Sequence, residues 1–311
     1  MIVNKMPMGL NNQIIPRFTY TGNYQTIDDG NGDWRIKFLT SGTLKLRRNE
    51  LIDVFLVGGG ASGNYGYSED NYAYTEQYSG AGGGGGGMTR TVKEITATAG
   101  VSYSIIVGEG GSPVYSSGKV CLPGNPGGAS FAFSYTAEGG YVPQGWIDTI
   151  FNQRHQAIYG GCGGSGGGAG GIGLWQEFPY EQCVPPTVGG SDGSNGVGVY
   201  AGYGQETLTS GDRTNTREFG EQSGTLYSGG GGGGGERYRD YPSGQVIAET
   251  GAAGGAGGGG KGASYAEAAA AGTTNTGGGG GGGYYHNGDS TYSRPSGAGG
   301  SGIVIIRNHR A

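Results

Sequence analysis

Most of the glycine in this chain is gathered into tracts, and those tracts decide what it can fold into. They run over Gly80–Gly87, Gly160–Gly173, Gly189–Gly198, Gly229–Gly235, Gly251–Gly262, Gly277–Gly283 and Gly297–Gly302, broken mainly by Ala and Ser. A helical fold is excluded, because each glycine costs ~1 kcal/mol relative to alanine inside an α-helix and few long stretches lack one. Collagen is excluded because the glycines form runs instead of recurring at every third position. The irregular spacing of the tracts rules out a solenoid of fixed period.

Two physical readings of a glycine tract remain. It can be a flexible linker, or it can be an extended helix with three residues per turn, ~3.1 Å rise and no internal hydrogen bonds. Such a helix points every N–H and C=O outward, so a buried one must bond to its neighbours. Only chains without side chains approach closely enough to do that on all sides. Seven glycines rise ~22 Å in this form, so tracts of similar length can stack side by side, with backbone hydrogen bonds replacing an apolar core.

Composition separates the readings. With 77 Gly and 11 Pro in 311 residues, the chain lies in the range typical of disorder. A disordered chain, however, combines low hydrophobicity with high net charge. Here charged residues make up 14%, the net charge is −5, and there are 22 tyrosines. The stacked bundle is therefore expected, with Gly84, Gly167, Gly231, Gly257 and Gly280 as representative helix positions. Ordering glycine carries a large entropic cost, so the bundle needs strands to fix its ends.

Those strands are legible. Trp34 to Leu39 alternates apolar and polar residues, as does Thr43 to Leu46 after a Ser41-Gly42 turn, the mark of half-buried strands. Leu51 to Val57 is a nearly continuous apolar run ending at Gly58, suited to an interior strand. Thr91–Thr98 and Val101–Val107 read as a hairpin-like pair around Ala99-Gly100. Ile303 to Ile306 would be an aggregation liability if unpaired, so it is expected to return to the N-terminal sheet. The fold class that follows is all-β: an antiparallel β-sandwich framework with an inserted bundle of polyglycine-II helices, first and last strands paired. Residues 1–33 read as an N-terminal segment suited to attachment, and 34–311 as a glycine-rich domain. Within it, 34–108 and 303–307 form the framework and 109–302 the bundle with its aromatic loops.

Several apparent motifs dissolve on inspection. Gly58-Gly59-Gly60-Ala61-Ser62-Gly63 matches a dinucleotide fingerprint. At one glycine in four, that pattern recurs by chance roughly once in 64 positions, and no helix follows it, so no cofactor is expected. Gly255 to Gly262 is a near-miss of a phosphate loop without its hydroxyl residue. Asp29, Asn31 and Asp33 open like a calcium loop, but Trp34 stands where glycine is required and Thr40 where the bidentate Glu belongs. A hairpin turn explains the same residues. His155, His286 and His309 are scattered, and Asp28/Asp29 and Glu69/Asp70 lie in turn-like polar segments, so no enzyme is expected. Cys121, Cys162 and Cys183 are too few and too irregular for a disulfide framework or zinc site, and read as reduced thiols.

The segments between the tracts are polar and aromatic. Half of their tyrosines are expected to shield the ends of the bundle. The rest offer rigid contact area beside adaptable Ser, Gly and Asn, the chemistry of recognition loops, and aromatic faces also suit sugar stacking. Candidate receptor contacts are Tyr65, Tyr67, Tyr72, Tyr74, Tyr78, Trp146, Tyr159, Trp175, Tyr180, Tyr284, Tyr285 and Tyr292. Nucleic acid is not an expected partner, since phosphate binding needs clustered Lys and Arg. No apolar stretch approaches the ~18–20 residues that span a bilayer, and the N-terminus lacks the apolar core of a signal peptide. No membrane insertion is expected.

Four segments together carry a family resemblance: a strand into Phe55-Leu-Val-Gly-Gly-Gly, then Ile106-Val-Gly-Glu-Gly-Gly, Gly127-Gly-Ala-Ser-Phe131 and a terminal Gly299-Gly-Ser-Gly-Ile-Val-Ile-Ile-Arg307. In this order they resemble the glycine-rich domain of tailed-phage and prophage structural proteins, over about residues 34–307. The resemblance implies a virion protein of the tail or tail tip, made in the host cytoplasm and released by lysis. It implies a bacterial surface receptor, protein or glycan, and contacts with other tail proteins or with itself. In architecture the chain is similar to the adhesins of T-even-like long tail fibres, which stack polyglycine helices and bind host molecules through loops at one end. The extracellular glycine-rich domain of anaplastic lymphoma kinase is a more distant likeness. Fibre-tip adhesins carry a sizeable N-terminal attachment domain; here the 33 residues before the first framework strand would take that role. Two other functions fit the same features: a purely structural virion or bacterial-surface assembly protein, and a carbohydrate-binding module.

Overall fold

Leu51–Val57, apolar at almost every position, forms the middle of the framework because both of its faces are covered. The computed structural model describes residues 15–66, 78–115, 122–142, 160–168, 170, 172–173, 183–184, 188–193, 216–235, 237–239, 246–248, 250–286 and 293–310. In chain order the strands begin with β1 (Phe18–Tyr20), β2 (Tyr24–Gly30), β3 (Asp33–Phe38), β4 (Gly42–Leu46), β5 (Glu50–Val57), β6 (Tyr78–Gly80), β7 (Thr89–Ala97) and β8 (Ser102–Ile105). They continue with β9 (Ser130–Ala132), β10 (Tyr135–Ala137), β11 (Ile172–Gly173), β12 (Cys183–Val184), β13 (Arg237–Arg239), β14 (Val246–Ala248), β15 (Tyr284–His286) and β16 (Ile303–Asn308). One 3-10 turn, Glu218–Gly220, is the only helical element among the described residues.

The framework has a five-stranded sheet in the order β2-β3-β16-β5-β7 and a three-stranded sheet β1-β4-β8, with the hairpin β9–β10 beside them. All pairings are antiparallel. The C-terminal strand returns to the N-terminal sheet as its pattern required: Ile305 of β16 lies opposite Lys37 on one side and Phe55 on the other. Trp34, Ile36 and Phe38 from β3, Ile52 and Leu56 from β5, and Leu44 and Leu46 from β4 fill the space between the two sheets. The opposite face of the five-stranded sheet presents Phe55, Val57, Ile303 and Ile305 to Phe219 and Tyr227. Burial from both sides accounts for the continuous apolar run.

Three sequence readings change. The stretches around Ala99-Gly100 do not pair with each other: β7 pairs with β5, and β8 with β4. Gly100, at φ +74°, donates to the Leu46 carbonyl at 2.8 Å and carries the chain from one sheet to the other. Residues 18–33 supply β1 and β2, so the framework starts before Trp34. Framework and bundle are also interleaved along the chain, since 58–64 and 80–88 are bundle tracts while β9 and β10 follow them in sequence.

The tract 58–65 carries the signature of a three-residue turn. Gly58, Ala61 and Asn64 donate their amides to Met88, Gly85 and Gly82; Gly59, Ser62 and Tyr65 donate to Gly128, Asn125 and Leu122; Gly60 and Gly63 donate to Gly300 and Gly297. Every third N–H therefore points to the same antiparallel neighbour. Its carbonyls in turn accept from Gly140, Gly111, Gly280 and Gly283, so further tracts close the ring around it. The tract 277–283 is surrounded in the same way: Gly279 and Gly282 donate to Gly229 and Gly232, and Gly281 to Ala270. Both tracts show the three-residue repeat that polyglycine-II geometry requires and are buried by hydrogen-bonded backbone.

Ser62, Asn64 and Ser130 supply side-chain partners to backbone groups of the tracts. Ser62 Oγ accepts the Asn125 amide at 2.8 Å, and Asn64 Oδ1 accepts the Gly124 amide at 2.8 Å. Ser130 Oγ donates to the Val57 carbonyl at 2.6 Å and accepts the Gly108 amide at 2.9 Å, joining framework to bundle.

Candidate functional site

The bundle has two ends of different character. At one end the tracts run directly into strands: Val57 into Gly58, Met88 into β7 and Gly302 into β16. At the other end the tracts are tied to one another. Tyr65 donates to Leu122 at 2.9 Å, Gly283 to Asn64 at 2.9 Å, Ala81 to Gly283 at 2.9 Å and Gly235 to Ala263 at 2.7 Å. Tyr284 and Arg294 exchange both backbone hydrogen bonds. The described residues flanking 67–77, 116–121 and 287–292 lie at this second end, where Tyr65 bridges Leu122, β6 pairs with β15 and Tyr284 bridges Arg294. A six-stranded antiparallel sheet centred on β6 stands here: β6 pairs with β11, β13 and β15, and β12 and β14 extend it, so the described residues beside 67–77, 174–182, 240–245 and 287–292 come together.

The aromatic side chains described at this loop end divide by burial. Tyr65 and Tyr284 are completely buried and Tyr285 is 6% exposed, so these three, expected as receptor contacts, are packing residues. Tyr65 lies edge-on to Tyr115 at 5.6 Å and to Tyr285 at 6.3 Å, against Val114 and Leu122. Burial pushes its hydroxyl pKa up. Tyr284 packs on Ala263, Tyr265 and Ala269. The large exposed apolar side chains described on the bundle are instead Tyr115 at 50%, Tyr141 at 42% and Val188 at 53%. No sequence pattern singles them out, because each stands outside the aromatic-rich segments. Tyr67, Tyr72, Tyr74, Trp146, Tyr159, Trp175, Tyr180 and Tyr292 lie outside the described residues. For Tyr78 the backbone alone is described, in β6.

Four of the five representative glycines sit in closed backbone packing. A Cβ on Gly84, Gly167, Gly231 or Gly280 would stand 1.9–2.2 Å from a carbonyl oxygen of another tract. Gly257 differs: at φ +97° it belongs to a turn beside Gly258, itself at φ +103°, and reverses the chain between tracts.

Among the described residues, a cluster of ionisable groups stands on the framework. Asp53, fully buried on β5, accepts from Arg307 Nε at 3.1 Å and from the Glu94 amide at 3.2 Å, and its Oδ1 lies 2.7 Å from His309 Nδ1. Arg307 also bonds Glu221 and lies 4.1 Å from the Phe219 ring centre. Buried Glu218 accepts from Arg35 at 2.5 Å and from the Tyr227 hydroxyl at 3.1 Å, with Lys37 at 3.4 Å. Burial, then the Glu218 carboxylate, pushes the Tyr227 hydroxyl well above its usual pKa. A cleft of about 230 Å³ lies between Arg35, Glu218, Glu221, Arg307 and Arg310; Arg35 pairs with Glu218, Arg307 with Glu221, and Arg310 with Asp29 outside it. The Asp53–His309 pairing was invisible in sequence, since 256 positions separate the two.

The acidic turn is a hairpin. Gly30 pairs with Asp33 across Asn31 at φ 55° and Gly32 at φ 92°, the two-residue turn in which both central positions need positive φ. Asp29 accepts from Arg35 at 2.7 Å and Arg310 at 2.6 Å. Among the described residues no group of three or more His, Cys, Asp or Glu is placed to hold a metal ion. Nor is any described helix long and apolar enough to cross a membrane. Cys162 is half-buried. Cys121 and His155 lie outside the described residues, and Cys183 and His286 are described by backbone alone.

A strand-framed core of glycine helices is what unites these observations, and residues 39–309 match the family model described as a glycine-rich domain. The chain belongs to this glycine-rich domain family. The match takes in β4 through β16 and every bundle tract. A comparison with curated protein sequences gives no match.

Proposed function

We propose that this glycine-rich domain protein is a tail or tail-tip component of a tailed phage or prophage, and that it adsorbs to a bacterial surface through the loops at the free end of its bundle. The observation that carries this reading is the sheet centred on β6, which gathers the described residues beside 67–77, 174–182, 240–245 and 287–292 at one end of the bundle, opposite the framework. Polyglycine helices bonded on all sides form a stiff base. Fixing loop bases on such a base lowers the ordering cost of binding. Tyr115 and Tyr141 at the rim add rigid amphipathic contact area of the kind recognition loops use.

Exchanging 67–77 and 287–292 for the corresponding segments of a family member with another host is the direct test. The chimera should bind the second host's cells and lose the first. Unchanged cell binding would remove the recognition role and leave a structural assembly protein.

A further inference from the structure

We infer that the outer face of the three-stranded sheet is a docking surface for an acidic protein, distinct from the loop end. Its inner face is the apolar core side, with Leu44, Leu46 and Ile105 buried. The outward positions are set by the period-2 alternation of the strands. Thr43, Lys45 and Arg47 from β4 and its end, Thr19 and Arg17 from β1 and its start, and Ser102 and Ser104 from β8 are all exposed. Register brings them into rows: Thr19, Lys45 and Ser102 lie side by side, as do Thr43 and Ser104. Arg47 donates its amide to the Arg17 carbonyl at 3.0 Å, which sets two guanidinium side chains directly opposite each other.

Among the described residues this face carries hydroxyls and cations and no carboxylate. Like charges directly opposite on paired strands are destabilising, and Lys45 and Arg47 make no ion pair among the described residues. The chain as a whole is at −5, so this is a local reversal of sign. Elsewhere on the framework, Arg35, Arg307 and Arg310 are tied to Asp29, Asp53, Glu218 and Glu221. A flat, cationic, hydroxyl-lined sheet face is complementary to a flat carboxylate-bearing protein surface, and complementary charge governs both encounter rate and register. None of the described outward positions of this face carries an aromatic ring, so it offers nothing on which to stack a sugar or a base. The proposal concerns the framework alone and stands or falls separately from the function of the loops.

Fluorescently labelled poly-L-glutamate is the probe, with polyphosphate and phosphatidylglycerol vesicles as competitors of other chemistry. The wild-type chain should bind poly-L-glutamate at low salt, more weakly as salt screens the charges. The double variant Lys45→Glu/Arg47→Glu should bind about tenfold or more weakly. The milder Lys45→Gln/Arg47→Gln should fall between. Lys261→Glu, on the bundle, should bind as the wild type does. Thermal unfolding of each variant checks that the fold is kept. Equal affinity of the double variant, equal loss in Lys261→Glu, or tighter binding of polyphosphate or vesicles than of poly-L-glutamate would overturn the assignment.

Discussion

The amide of Gly231 donates to the carbonyl of Gly84 at 2.9 Å. Backbones bonded this closely leave no room for a methyl: a Cβ on Gly231 would lie 1.9 Å from the Gly280 carbonyl oxygen. Gly231→Ala is therefore expected to cost about 3 kcal/mol, the upper range for overpacking in a close-packed interior. Gly128→Ala, whose new Cβ would meet nothing nearer than 3.1 Å, should cost clearly less. Urea unfolding of both variants makes the comparison, and equal costs would contradict it.

Asp53 predicts the acid limb of stability. Burial pushes its carboxyl up, but His309, the Glu94 amide and Arg307 outweigh that and hold it below the usual carboxylate value. A depressed folded-state pKa contributes stability that is complete above the unfolded value and is lost as pH falls through the folded one. Asp53→Asn should lower the melting temperature near neutral pH, and the difference from wild type should shrink as pH falls below about 4. A constant difference across a melting series from pH 7 to 2.5 would remove Asp53 from this role.

The last crossing of the chain into β16 rests on Asn275. Its side-chain amide donates to the carbonyls of Leu39 at 2.7 Å and Gly302 at 3.2 Å, and its own φ is 58°. Asn275→Ala would orphan both carbonyls and place alanine in the left-handed region, a loss of about 2 kcal/mol. Asn275→Gly relieves the second cost and should be milder. The ranking of their unfolding free energies is the check.

Tyrosines at the loop end should separate into two classes. Tyr65→Ala removes a buried ring that touches Tyr115 and Tyr285, and is expected to cost about 3 kcal/mol. Tyr115→Ala and Tyr141→Ala remove half-exposed rings and should change stability by about 0.5 kcal/mol or less, while weakening attachment to cells. Melting curves and a cell-binding assay run on the same three variants separate packing from contact.

Reading from sequence reached furthest where one physical signal had one meaning. The alternation in Trp34–Leu39, the two-sided apolar run Leu51–Val57 and the stranded Ile303–Ile306 led to β3, β5 and β16 and to their pairing. Glycine runs between such strands led to the bundle, because nothing else satisfies their backbone in the interior. Where a signal had two meanings, the reading stopped. Tyr24–Gly30 is polar and mostly exposed, so an edge strand there looks like a loop. The Thr98–Gly100 corner has the residues of a hairpin, and only the partners already waiting, β4 and β5, send its two strands to different sheets. A tyrosine closes a core as readily as it faces solvent, which is why Tyr65, Tyr284 and Tyr285 could not be placed. Gly257 shows the same limit: within a glycine tract, a turn and a helix are written with the same residue.

The central claim is that glycine backbone, hydrogen-bonded tract to tract, is the interior of this protein. Amide hydrogen exchange of Gly60, Gly84, Gly231 and Gly281, followed residue by residue, tests it most directly. Each of these amides donates to another segment of the bundle at 2.8–3.0 Å, so protection should approach that of Val54 and Leu56 in β5. Exchange at the rate of an unstructured glycine linker would contradict the account.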